Sequence, residues 1–209
     1  MNKRRENLRK LTLTALFAAV AVVLELIITF VPGLNLEMPF GGRVFGISML
    51  PIIILSFLCG IGYGLTGGFI LASVNVLSNL NLIVTWGLTP AALAGTIILD
   101  YMVPFTLLGL AGVVKSGKNP KIELLLGTLL VCGIRYVCHC VSGLVVFGEL
   151  APEGMNVWFY SLIAYNLPYM ASSTALCVVV GMFIIKPISR YYYQLIDQQS
   201  SDNQDEDLN

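Results

Sequence analysis

One stretch of the sequence places a cation, a histidine, a residue without a side chain and an aromatic ring at regular spacing. These residues are Arg135, His139, Gly143 and Phe147. Because they recur every four positions, they share one face of a helix. The surrounding segment is apolar, and lipid cannot satisfy a guanidinium or an imidazole. We therefore expect this face to point into a polar cavity of the protein.

Three charged residues fall deep inside apolar segments: Glu25, Asp100 and Arg135. A charge at the centre of a bilayer costs about 3 kcal/mol, so such residues pair with one another or meet a ligand. Two interpretations of Asp100 and Arg135 stay open, an ion pair between two helices and a site for a polar or charged solute. Glu25 lies nearer the end of its segment, where we expect it to reach toward the interface.

The motifs of the chain do not indicate an enzyme or a metal protein. Cys138, His139 and Cys140 are consecutive, so on a helix they point about 100° apart and cannot close on one ion. The sequence contains no GxxxxGK[ST], HExxH or Gly-x-Ser-x-Gly motif. A net charge of +0 gives no argument for nucleic-acid binding. We expect no catalytic residue, no metal and no cofactor, and any ATP-driven step would need another chain.

The composition is that of an integral membrane protein. Of 209 residues, 56% are hydrophobic and 11% are charged, which is more apolar surface than a soluble domain of this size can cover. Dense glycine between Gly60 and Gly68 predicts close helix packing, and Pro51 is expected to interrupt the second span. We predict one membrane domain over residues 1–190 and a polar, disordered cytoplasmic tail over 191–209. The six predicted transmembrane spans are 12–31, 44–58, 60–82, 90–114, 122–147 and 158–185.

The basic residues predict the orientation of the chain. All but two of the 12 Lys and Arg residues lie before the first span, between the fourth and fifth spans, or after the sixth. The two exceptions are Arg43, in the first outer loop, and Arg135. By the positive-inside rule, both termini are cytoplasmic and the chain is a multi-pass protein of the plasma membrane.

Polar and aromatic residues gather near the outer ends of the last spans. Trp86 is expected to mark an interface or a loop. We predict an outward-facing, aromatic-lined pocket between spans four, five and six, covered by the first outer loop. The sixth span opens with Tyr160, Tyr165, Asn166 and Tyr169.

Four segments carry a resemblance to a known family. They are MPFGGRVFGISMLPI, ILDYMVPFTLLGLAG, RYVCHCVSGLVVFGELAPEGMN and YSLIAYN, and they occur in the right order and spans. Over about residues 10–185, the chain resembles the thiamine-specific S components of energy-coupling factor (ECF) transporters, the ThiT/YuaJ family. The resemblance implies an all-α membrane protein with the six-helix S-component fold and both termini cytoplasmic.

The resemblance also implies a substrate-binding subunit rather than a self-sufficient pump. Such a subunit captures thiamine from outside and docks on a transmembrane coupling protein and two ATPase subunits, which use the ATP. Thiamine is then a transported ligand and not a cofactor. Ala15 and Ala19 match the A-x-x-x-A docking pattern of the family's first helix, where small residues allow close packing.

The family's binding residues carry over where the motifs align. Its acidic-Tyr pair matches Asp100 and Tyr101, and its last-helix Tyr and Asn match Tyr160 or Tyr165, and Asn166. Its series at four-residue steps in span five, typically Lys, His, Gly and Trp, matches Arg135, His139, Gly143 and Phe147.

The chain departs from the family pattern at several of these positions. Asp replaces Glu, Arg replaces Lys, Phe replaces Trp, and Ser172-Ser173 stand where Pro-Glu is often found. YSLIAYN has one residue more than YSLIYN, which on an α-helix rotates Tyr160 by about 100° relative to Asn166. The departures leave open an S component for a thiamine precursor, an analogue or another small vitamin. A standalone ion-coupled carrier is a further alternative.

Overall fold

Six helical elements account for the apolar segments of the chain. The structure is a computed structural model, and it describes residues 3–31, 33–34, 36, 38 and 42–206. Within these residues, five helices are long and apolar enough to cross a membrane, and α2 is shorter. The helices are α1 Lys3–Phe30, α2 Met49–Cys59, α3 Ile61–Thr85, α4 Pro90–Val114, α5 Pro120–Val145 and α6, which begins at Val157 and runs to Glu206.

Side-chain caps set the starts of the last three helices. Thr89, Asn119 and Asn156 each accept a hydrogen bond from a backbone N–H two or three residues further along. Pro90 and Pro120 occupy the first helical position. Proline lacks a backbone N–H, but an N–H at this position would have no intrahelical acceptor. The predicted starts at residues 122 and 158 therefore lie within two residues of the observed ones.

Helix α2 differs from the predicted second span. It begins at Met49 rather than residue 44, and all 11 of its residues are buried. Eleven helical residues rise about 16 Å, roughly half the hydrocarbon thickness of a bilayer. Pro51 does not interrupt the helix because it lies in the first turn, where the backbone N–H groups have no intrahelical acceptor. The short α2 is thus enclosed by α1, α3, α4, α5 and α6.

Helices α4 and α6 each contain a π-helical segment. In α4, the α-helical residues Pro90–Thr96 are followed by the π-helix Ile97–Met102. In α6, the π-helix Tyr160–Asn166 follows the single α-helical turn Val157–Phe159. A π-segment widens the helix locally and changes which residues share a face, and such segments are frequent at functional sites.

Glycines allow α3 to pack directly against α4. A Cβ added at Gly68 would lie 2.5 Å from the carbonyl oxygen of Phe105, and one at Gly64 would lie 2.9 Å from the Cα of Gly109. Ser56 of α2 joins the same contact, since its Oγ donates to the Gly109 carbonyl at 2.5 Å. The close packing predicted from the glycine-rich sequence is therefore present.

The last helix extends beyond the predicted end of the membrane domain. Its helical backbone continues to Glu206, whereas we expected a disordered tail after residue 190. Residues 207–209 lie outside the described part of the chain. The division at residue 190 stays a prediction.

Replacing Gly68 by alanine is expected to destabilise the protein, because the new methyl group would overlap backbone atoms of α4. Overpacking of this kind costs about 1–3 kcal/mol. We expect a lower melting temperature for Gly68→Ala in detergent. Gly62→Ala is the matched control, since a Cβ there meets nothing within 4 Å. Equal melting temperatures for the two variants would contradict the packing argument.

Candidate functional site: a polar cavity at one end of the bundle

A cavity lies where the C-terminal parts of α1, α3 and α5 meet the N-terminal parts of α4 and α6. Its volume is about 110 Å³, several times the roughly 10–15 Å³ that one water needs. The cavity can therefore hold a small organic molecule or several waters. All nine sequence-predicted binding residues line it, namely Asp100, Tyr101, Arg135, His139, Gly143, Phe147, Tyr160, Tyr165 and Asn166.

His139 lies between two residues of opposite charge in this cavity, Asp100 and Arg135. Its Nδ1 lies 2.9 Å from Asp100 Oδ1, and Arg135 Nε donates to its Nε2 at 3.1 Å. Because a guanidinium can only donate, Nε2 must accept, so Nδ1 carries the proton and donates to Asp100. Ser142 Oγ donates to the other carboxylate oxygen at 2.5 Å. The buried imidazole is thus held in one tautomer between α4 and α5.

This arrangement differs from the simple ion pair considered for Asp100 and Arg135. Among the described side chains, Asp100 accepts hydrogen bonds from the neutral imidazole of His139 and from Ser142, and Arg135 donates to the imidazole. The Arg135 guanidinium also lies 4.1 Å from the centroid of the Phe105 ring, a cation–π distance. A carboxylate has about four acceptor positions, so Asp100 retains capacity for a ligand.

The π-segment of α6 keeps its polar residues on the cavity side. Tyr160, Tyr165 and Asn166 all line the cavity, although the extra residue in YSLIAYN predicts that Tyr160 turns away from Asn166. That expectation assumed α-helical geometry and was wrong. The i→i+5 hydrogen bonds of a π-helix absorb one additional residue per turn.

Asn166 serves the packing of α6 against α5. Its Nδ2 donates to the carbonyl of Ser161 at 2.8 Å and to that of His139 at 3.3 Å. Its Oδ1 accepts a hydrogen bond from the Tyr169 hydroxyl at 2.7 Å. With 2% of its surface exposed, this amide is occupied by the protein itself.

Gly143 has a different role from the one the sequence indicates. We expected it to leave room for a flat ligand beside α5. A Cβ there would instead overlap Ser161 Oγ and lie 3.4 Å from Asn166 Nδ2. The missing side chain therefore lets the π-segment of α6 approach α5.

Several aromatic rings pack against one another on the cavity wall. His139, Tyr169, Tyr165 and Tyr160 follow one another with ring centroids 5.8–5.9 Å apart. Phe147 meets Trp86 edge to face at 6.0 Å. Trp86, expected at an interface or in a loop, lies in the turn directly after α3, and it also lines the cavity. Planar or cationic ligands bind well between such rings.

A second charged cluster at the cavity escaped the sequence analysis. Glu25 does not reach toward the interface. Its Oε1 accepts a short hydrogen bond from Arg43, and its Oε2 accepts one from Ser48. The side chains of Glu25 and Arg43 are only 12% and 13% exposed. The sequence did mark both residues as unusual, because they are charged and lie outside the cytoplasmic clusters of charge. Their spacing of 18 positions, however, does not predict that they pair.

Residues 42–48, the segment of the first outer loop that directly precedes α2, are hydrogen-bonded to α6. Ser172 Oγ donates to the Val44 carbonyl at 2.7 Å, and the Gly46 N–H donates to Ser173 Oγ at 2.9 Å. The two serines that replace Pro-Glu therefore hold this segment at the cavity. Residues 35, 37 and 39–41 of the predicted loop lie outside the described part of the chain.

Comparison with known proteins identifies the family. A family model described as "Thiamine transporter protein (Thia_YuaJ)" matches residues 11–192, which is most of the chain. The chain belongs to this family. The Thia_YuaJ assignment confirms the resemblance seen in the sequence, and with the apolar helices it makes the chain a multi-pass protein of the cell membrane.

Individual relatives carry the same name. A "Thiamine transporter ThiT" of Bacillus subtilis is 35% identical over 191 residues, covering 86% of this chain and 91% of the relative. Another from Lacticaseibacillus paracasei is 33% identical over 101 residues, 42% of this chain and 48% of that one. A solved structure of ThiT from Listeria monocytogenes has a TM-score of 0.70 at 22% identity, covering 91% and 99% of the two chains. The predicted all-α S-component fold is confirmed by this likeness.

Removing Glu25 should destabilise the cavity, because it removes a carboxylate that pairs with the partly buried Arg43. Breaking a buried pair on one side costs about 3–5 kcal/mol, and partial exposure lowers this toward about 1–3 kcal/mol. We expect Glu25→Ala to lower the melting temperature in detergent. Glu25→Ala/Arg43→Ala should cost less than the sum of the two single variants. Additive losses would show that the two residues stabilise the protein independently.

Proposed function

We propose that this chain binds thiamine in the cavity and serves as the substrate-binding membrane subunit of an ATP-driven importer of the energy-coupling factor type. The observation that carries the proposal is the Asp100 carboxylate, oriented by His139 and Ser142 inside a ring-lined cavity. The relatives are named transporters, and we assign no catalytic step to the chain.

The chemistry of thiamine fits the Asp100 carboxylate and the aromatic rings of the cavity wall. Its thiazolium ring is a permanent cation, which a carboxylate of low exposure can neutralise. The Asp100 side chain is 17% exposed, so it is reachable from the cavity yet shielded from bulk water. The flat aminopyrimidine can stack on the rings of Tyr165, Phe147 or Trp86. Hydrogen bonds from His139 and Ser142 hold the Asp100 carboxylate in place at the cavity.

ATP-driven uptake would need partner chains, because the sequence has no nucleotide-binding motif. The proposed partners are a transmembrane coupling protein and two ATPase subunits. Ala15 and Ala19 are exposed on α1, whereas Thr14, Ala18 and Ala21 face the bundle. Small exposed residues at four-residue spacing allow another helix to approach closely in lipid.

Asp100→Ala is expected to abolish most thiamine binding while the protein still folds. Of the two tryptophans, Trp86 lines the cavity and Trp158 is 64% exposed. Thiamine should therefore quench the emission of Trp86 in the purified protein, and Trp158→Phe should keep the signal. A titration without ATP measures the affinity. Loss of one charge-assisted contact predicts a decrease of about ten- to hundredfold.

Glu153→Ala is the control for this titration, since it removes one negative charge from an exposed residue outside the cavity. It should bind thiamine like the unmodified protein. Unchanged affinity of Asp100→Ala would remove the proposed role of the carboxylate. Failure of the unmodified protein to bind thiamine, with binding of a precursor or another vitamin, would favour the alternative substrates.

Ala15→Trp or Ala19→Trp should block docking without changing thiamine affinity, because the large ring prevents close helix contact. The measurement is co-purification with the coupling protein and ATPases, together with uptake in cells. Ala175→Trp is the control, since Ala175 is an exposed alanine on α6. Uptake in cells that lack the coupling protein would contradict the importer proposal and favour a standalone carrier.

A further inference from the structure

Both π-helical segments of the described chain end shortly before a proline. The π-helix Ile97–Met102 of α4 is followed by Pro104, and the π-helix Tyr160–Asn166 of α6 is followed by Pro168. In both helices, one residue separates the end of the π-segment from the proline. The same spacing on two helices indicates a common cause in the backbone.

The chemistry of proline accounts for the widening of these turns. Proline has no N–H to donate, and in an α-helix its ring clashes with the carbonyl oxygen four residues earlier. For Pro168 this carbonyl belongs to Ala164, the residue by which YSLIAYN exceeds YSLIYN. In α4, just before Pro104, the N–H of Val103 donates to the carbonyl of Ile98, five residues earlier. A π-turn moves the obstructing carbonyl away from the ring, an adjustment that membrane helices use around prolines.

A proline alone does not produce a π-segment. Pro187 also lies inside α6, yet the residues before it are α-helical. The π-segment of α6 has a further support, because side-chain hydrogen bonds hold its widened turn against α5. The Tyr136 hydroxyl donates to the Leu162 carbonyl at 2.9 Å, and Ser161 Oγ donates to the Cys140 carbonyl at 3.0 Å. Tyr136 does not line the cavity, so its hydroxyl acts on the backbone of α6 and not on a ligand.

We propose that Pro168 and Tyr136 are positioning residues for the cavity, an inference that rests on the proposed function. Pro168 disfavours the α-helical turn, and Tyr136 stabilises the widened one. The π-segment then keeps Tyr160 and Asn166 on the side of α6 that lines the cavity. With α-helical geometry, the additional residue would turn Tyr160 away from this side by about 100°.

The test replaces the proline and measures stability and thiamine binding separately. Pro168 is exposed, so its ring contributes little packing, and an alanine at this position restores a helical N–H donor. Pro168→Ala should therefore melt no lower than the unmodified protein in detergent. Its thiamine affinity, measured by quenching of Trp86, should fall about tenfold because Tyr160 leaves the cavity. A residue that only stabilised the fold would lower the melting temperature and the affinity together.

Pro187→Ala is the matched control, because Pro187 is an exposed proline of the same helix and does not line the cavity. Its thiamine affinity should stay unchanged. Tyr136→Phe keeps the ring, removes the hydroxyl and should weaken thiamine binding about three- to tenfold. Since both residues act on one segment, Pro168→Ala/Tyr136→Phe should lose less binding free energy than the sum of the two single variants. Additive losses would contradict the shared role.

The backbone part of the proposal can be checked without a ligand. The structure of ligand-free Pro168→Ala should show residues 160–166 as an α-helix, with Tyr160 turned away from the cavity. A retained π-helix would overturn the positioning role. Unchanged thiamine affinity of Pro168→Ala would do the same, as would weaker binding together with a lower melting temperature. An unmodified protein that binds no thiamine would overturn the proposed function, and the ligand-free structure would still decide what Pro168 does to the backbone.

Discussion

The structure of the cavity depends on one imidazole. His139 joins a carboxylate on α4 to a guanidinium on α5, and each ring nitrogen has a single role because its partner can only donate or only accept. In a bundle surrounded by lipid, neither charge could be left without a partner. The imidazole satisfies both while keeping Asp100 and Arg135 apart. A direct ion pair would have neutralised Asp100 and left it less available to a cationic ligand.

Two π-helical segments decide which residues reach this cavity. One carries Asp100 and the other carries Tyr160 and Asn166. A π-turn accommodates an additional residue, so a helix with an insertion can keep both ends of a motif on one side. Gly143 completes the packing of α6 against α5, because the absence of a Cβ lets Ser161 approach α5.

The remainder of the wall comes from elements that are distant in sequence. Glu25 of α1 receives Arg43 and Ser48 from the first outer loop and the start of α2, and serines of α6 bind the same loop. These contacts bring α1, α2 and α6 to one point. Asn75 reaches the cavity beside them from α3. The cavity therefore has a charged side at α4 and α5 and a compensated, amide-bearing side at α1 and α3.

The sequence by itself determined the features that depend on residues close to one another along the chain. Apolar runs predict the membrane helices, and four-residue steps place Arg135 and His139 on one face. Tertiary structure decided the partners across helices: the pairing of Glu25 with Arg43, the engagement of Asn166, and the enclosure of α2. Periodicity specifies which side chains share a face of one helix. It carries no information about which other helix that face meets, since this follows from the packing of the whole bundle.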